Sequence, residues 1–152
     1  MDTHFGLLIA SLAILHTANA VINKDYLEKV VTAKDKCLKE FNVDDSVVED
    51  FIVKYNKPQS ESGKCMVACF MEERGMMKDG KTITEQVMLD NQEKWIAATH
   101  VNMGKEVIDT CDKEVPNEEN DKCDLAVDYM MCLVKRGDEA GLPKMDVAQL
   151  KH

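Results

Sequence analysis

Catalytic machinery is scarce along these 152 residues. Beyond residue 20 the only histidines are His100 and His152, no Gly-x-Ser-x-Gly turn occurs, and no His-Asp calcium loop of the secreted phospholipase kind is present. Those absences remove the usual pairings of nucleophile and base, and no catalytic residue is assigned. Strand-like alternation of apolar and polar residues is missing as well, as is any internal repeat, so the helical period organises the chain. No apolar run reaches the roughly 20 residues of a membrane span, and stable membrane insertion is not expected. Basic residues are outnumbered, 19 Lys and Arg against 28 Asp and Glu, for a formal net charge of −9. Such an acidic surface argues against nucleic acid or anionic lipid as a partner.

What is present begins with "MDTHFGLLIASLAILHTANA", residues 1–20. An apolar run from Phe5 to Leu15 followed by the small-x-small pattern Ala18-Asn19-Ala20 reads as a signal peptide, although no Lys or Arg precedes the run. Residues 21–152 then form a single domain of extracellular destination. In an oxidising compartment an even number of cysteines becomes a disulfide framework, and all six cysteines, Cys37, Cys65, Cys69, Cys111, Cys123 and Cys132, lie after residue 20. Six bonded thiols leave no thiolate nucleophile and no metal ligand, so the Cys65-x-x-x-Cys69 spacing is not read as a zinc site.

The periodicity predicts an all-α chain. A first helix carries Leu27, Val30, Val31, Cys37, Leu38 and Phe41 on one stripe, with Lys34 as its polar intruder. A second opens with a Ser46-x-x-Glu49 capping box, presents Val47, Val48, Phe51, Ile52 and Tyr55, and stops before Pro58. The third holds "KCMVACF" and ends at Gly75, and "KDGK" turns the chain toward a fourth helix capped by Thr82-x-x-Glu85. That helix carries Ile83, Val87, Met88 and Trp95, and its pattern allows it to run through His100 into a fifth with Val101, Val107, Ile108, Cys111 and Val115. A sixth opens near Asn117 or Asn120 and ends at Arg136-Gly137.

Helical geometry restricts the disulfides. Cys65 and Cys69 lie about 40° apart on one face, with Cβ vectors that lean the same way, whereas Cys123 and Cys132 lie about 180° apart on opposite faces. Neither pair is expected to bond to itself. Two thiols on one face therefore let the third helix staple two other segments, and the sixth is tied at two points likewise. Several pairings of the six remain open on these grounds.

The spacing Cys37-x27-Cys65-x3-Cys69-x41-Cys111-x11-Cys123-x8-Cys132 resembles that of insect odorant-binding proteins of the pheromone and general odorant-binding type. "CFMEERGMMKDGK", residues 69–81, resembles the acidic, glycine-containing turn that follows the third cysteine there. The resemblance implies a compact six-helix domain stapled by Cys37–Cys69, Cys65–Cys123 and Cys111–Cys132 around an internal hydrophobic cavity. It implies a secreted carrier, not an enzyme, that binds odorants or pheromones and moves them through sensillum lymph to an olfactory receptor. Its partner is then a small hydrophobic molecule, with no cofactor and no metal. The alternative is a non-olfactory ligand-binding or interaction protein on the same scaffold, in saliva, venom or seminal fluid.

Ten methionines in the chain suit a pocket that repacks around ligands of different shape. Met66, Phe70, Met88, Trp95, Met103 and Met130 are the expected lining. The tail, residues 138–152, is expected to turn at Gly141 and Pro143 and to return Leu142, Met145, Val147 and Leu150 to the domain as a cover over one mouth. Asp138, Glu139 and Asp146 make acid-sensitive contacts of that cover an expectation.

Overall fold

The structure, a computed structural model, describes residues 21–118 and 121–151. The expected signal peptide and Asn120 lie outside the described residues. The chain is all-α: α1 (Lys24–Phe41), α2 (Ser46–Val53), α3 (Glu61–Glu73), α4 (Thr84–Lys94), α5 (Ala98–Glu114) and α6 (Lys122–Glu139), with one short hairpin and a closing 3-10 turn, Val147–Leu150.

Local chemistry fixes the helix ends. Asn23 caps α1 by accepting the Asp25 N–H, and Asn42, with φ 52°, ends it in the left-handed conformation that asparagine tolerates. Ser60 caps α3 by accepting the Gly63 N–H, and Gly75, at φ 73°, stops it as expected. Asp79 and Gly80 then both take positive φ, 52° and 74°, which closes a two-residue hairpin between β1 (Met77–Lys78) and β2 (Lys81–Thr82).

Neither expected capping box forms. Ser46 is already in the first turn of α2, where its N–H donates to the Asp44 carboxylate at 2.8 Å. Thr82 is held in β2, its N–H and hydroxyl both donating to Asn117 Oδ1 at 2.8 Å, so α4 starts two residues later. The fourth and fifth helices do not merge. Trp95 is extended, with ψ 137°, and residues 21–23 fill the break: the Asn23 N–H donates to the Lys94 carbonyl at 2.9 Å, and Ile22 bridges Trp95. At the other end, α6 opens at Asp121, whose carboxylate accepts the Cys123 N–H, and continues through Gly137 to Glu139. Gly141, at φ 81°, takes the left-handed position instead of Gly137.

The three bridges are Cys37–Cys69, joining α1 to α3, Cys65–Cys123, joining α3 to α6, and Cys111–Cys132, joining α5 to α6. This is the interlocked pairing implied by the resemblance. On the chain-entropy model, the separations of 32, 58 and 21 residues make each bridge a contribution of about 3–4 kcal/mol. The main core packs Met71, Leu125 and Tyr129 with Cys37 and Cys111, all fully buried. Tyr129 satisfies its hydroxyl on Asp112 at 2.6 Å, and Thr84 donates to the other oxygen of the same carboxylate, so α4, α5 and α6 meet at one acid. A second cluster gathers Ile22, Tyr26, Val30, Val31, Trp95 and Leu150.

Candidate functional site

Between these clusters lies a cavity of about 300 Å³ whose walls come from all six helices and the tail. α2 explains much of its existence. Its apolar residues Val47, Val48 and Ile52 pack against the core yet stay only half-buried where they line the cavity, and Phe51 alone in that helix is fully inside. Met66, Val67 and Phe70 of α3 form the opposite wall, and Val107, Ile108, Met130, Leu133 and Val134 continue it.

Of the expected lining residues, Met66, Phe70, Trp95 and Met130 face this space. Met88 and Met103 do not. The cavity stripe of α4 runs through Val87, Asn91 and Lys94, and that of α5 through Gly104, Val107 and Ile108; Met88 and Met103 each sit one residue off their stripe, about 100° round the helix. Met88 packs against the main core instead. Val30 and the α2 residues were legible as helical stripes, whereas Tyr26 was not placed on one, and periodicity alone does not tell a core wall from a cavity wall.

The polar residues at the cavity are mostly tied down. Trp95 donates its indole N–H to Asn91 Oδ1 at 2.9 Å, and Asn91 Nδ2 donates to the Val101 carbonyl at 2.9 Å. Gly104 makes this possible, because a Cβ there would run into the Asn91 side chain. His100 leans on Trp95 with ring centroids 5.4 Å apart. Asp90 receives Arg74 on one oxygen and the Tyr26 hydroxyl on the other, at 2.9 Å, linking α1, α3 and α4. Burial, with the neighbouring Asp90 charge, pushes the Tyr26 phenol well above its ordinary range.

Lys34, the polar intruder of α1, is buried yet paired, at 2.7 Å to Asp35 and 2.9 Å to Asp45. Burial opposes its charge, but the hydrogen bonds to the two carboxylates outweigh that and raise its pKa. Lys94 has no such carboxylate, and burial brings its ammonium down to about 8 against the pull of Asp90.

The tail contributes to the remaining side: Leu142, Pro143, Lys144, Met145 and Leu150 line the cavity, with Leu150 4% exposed. Val147 joins neither apolar cluster. Asp138 is the tail's hinge contact, accepting from Tyr55 at 2.5 Å and pairing with Lys144 at 3.0 Å.

An apolar space in a six-helix, three-disulfide frame is the arrangement the resemblance implies, and comparison with known proteins decides the family. Residues 19–136 match the PBP/GOBP family. The chain belongs to that family. Among solved structures it is similar to odorant-binding protein dmelOBP28a from Drosophila melanogaster, at 25% identity and a TM-score of 0.60 over 79% of this chain and 98% of that one. Odorant binding protein 5 of Apis mellifera aligns at 21% identity with a TM-score of 0.65, covering 79% of this chain and 96% of that one. Odorant Binding Protein 7 of Anopheles gambiae, which has four disulfide bridges and is in complex with an azo compound, aligns at 16% and 0.58, covering 80% and 97%. No curated protein matches the chain. The neighbours named here are odorant-binding proteins, and the family match extends over most of the same domain.

Proposed function

We propose that this protein is a secreted carrier that encloses one small hydrophobic molecule in the interhelical cavity and transports it through aqueous lymph to receptors. The observation that carries this reading is the cavity of about 300 Å³, walled by Val30, Phe51, Met66, Phe70, Trp95 and Met130 in a frame held by three disulfides. A volume of this size suits a small ligand, at the lower end of the usual range of roughly 300–1,000 Å³. The azo compound held by the mosquito neighbour favours the same use of the fold.

The test is displacement of a fluorescent apolar probe by a panel of volatiles, followed through Trp95 emission. One-to-one binding with a shift in Trp95 emission is the expected result. If nothing apolar displaces the probe, or if ligands bind while emission never moves and Trp95→Phe leaves affinity unchanged, the cavity is not the carrier site.

A further inference from the structure

Three lysines line the cavity, Lys34, Lys94 and Lys144. Lys34 is neutralised by Asp35 and Asp45, and Lys144 by Asp138. Lys94 stands apart: among the described residues its ammonium has neither a hydrogen bond nor an ion pair, in a protein where acids outnumber bases by 28 to 19. The nearby acceptors are already engaged by other donors. Asp90 is occupied by Arg74 and Tyr26, and Asn91 gives its oxygen to the Trp95 indole. What Lys94 does have is an aromatic face, its Nζ lying 4.4 Å from the Trp95 ring centroid, with α4 ending at that residue and its carbonyl fixed by the Asn23 N–H.

A half-buried cation beside an apolar space costs free energy unless it meets an anion, and a ring face compensates only part of that cost. We propose that Lys94 is a headgroup anchor, which makes the cavity selective for apolar molecules ending in a carboxylate, such as medium-chain aliphatic acids, over the matching alcohols and esters. The hydrocarbon would lie along Val30, Met66 and Phe70, with the acid at the Trp95 end. This inference rests on the carrier reading and deepens it by naming the ligand class.

The experiment measures probe displacement by dodecanoic acid, 1-dodecanol and methyl dodecanoate on the full secreted chain, its Lys94→Met variant and its Lys94→Arg variant. The readout is the ratio of acid to alcohol affinity within each protein, so a general change in stability or pocket shape cancels. The wild type should prefer the acid by about ten-fold or more, the value of a hydrogen-bonded charge pair. Lys94→Met should bring the ratio near one, and Lys94→Arg should keep most of it. A wild type that binds acid and alcohol alike, or a Lys94→Met protein with an undiminished ratio, overturns the anchor while leaving the carrier intact. If none of the three compounds displaces the probe while other apolar volatiles do, the anchor falls and the carrier stands; if nothing apolar displaces it, both fall.

Discussion

Asn91 is the hinge of the site at the scale of single residues, since it spans from α4 to the Val101 carbonyl and orients the Trp95 indole at once. It can do so because position 104 has no side chain. Gly104→Ala therefore forces Asn91 aside, and the expected loss is about 1–3 kcal/mol from overpacking together with the broken hydrogen bonds. The specific signature is optical: with its indole N–H released, Trp95 should emit differently even without ligand. A Gly104→Ala protein with wild-type melting temperature and wild-type emission would show that Asn91 does not set the Trp95 geometry. Nothing in the sequence flags this glycine, because its role depends on a partner thirteen positions earlier on another helix, and helical periodicity speaks only of faces. The misplacement of Met88 and Met103 has the same source: each is apolar and on a helix, but the facing geometry differs by one residue.

Among the elements, the cysteines were the most legible feature, because their spacing on α3 and α6 excludes bonds within a helix whatever the tertiary packing. Breaks between helices were less legible. The α4–α5 break depends on residues 21–23 arriving from the far end of the domain, a non-local pairing that no window of sequence contains. The junction of α6 with the tail allows a prediction about acid. Hydrogen bonds from Tyr55 and then from Lys144 hold the Asp138 carboxyl below its ordinary value of 3.8. A carboxyl lowered in the folded state stabilises above its unfolded pKa and loses that contribution only as pH falls through the lower, folded value. The contact should thus persist at about pH 5, and the expected acid sensitivity of the tail does not reside here in the mildly acidic range. Glu139 pairs with Arg136 on its own helix, and Asp146 caps the 3-10 turn. Asp138→Asn should speed ligand release by about three-fold, the scale of an exposed ion pair, and equally at about pH 7 and about pH 5. A stopped-flow comparison in which the mutant and wild type converge at about pH 5 would place the Asp138 titration higher than this geometry allows.

For the whole molecule, the question is how so small a domain keeps a hole in its middle. Packed apolar contacts that a filled core would supply are missing around the cavity, and the disulfide frame substitutes for them by restricting the unfolded chain. All three bridges lie before residue 133, so the tail is outside the frame and is held by packing and by exposed polar contacts such as Asp138–Lys144, with no covalent tie. Leu150 enters the cluster of Ile22, Tyr26, Val30, Val31 and Trp95, with Leu142 and Met145 packed beside it. That division of labour predicts a protein whose fold survives loss of the tail but whose ligand retention does not. A chain ending at Ala140 keeps the whole of α6, which an end at Gly137 would cut short. It should retain its helical circular dichroism and all three bridges. Removing the buried Leu150 and its neighbours opens one side of the cavity, and a buried leucine alone is worth about 1.5–3 kcal/mol of enclosure. Probe dissociation should then quicken by about ten-fold or more, with a smaller effect on association, since an opened mouth hinders neither entry nor exit. Equal off-rates for the truncated and full chains, with both folded, would mean that the tail rests on the domain without closing it.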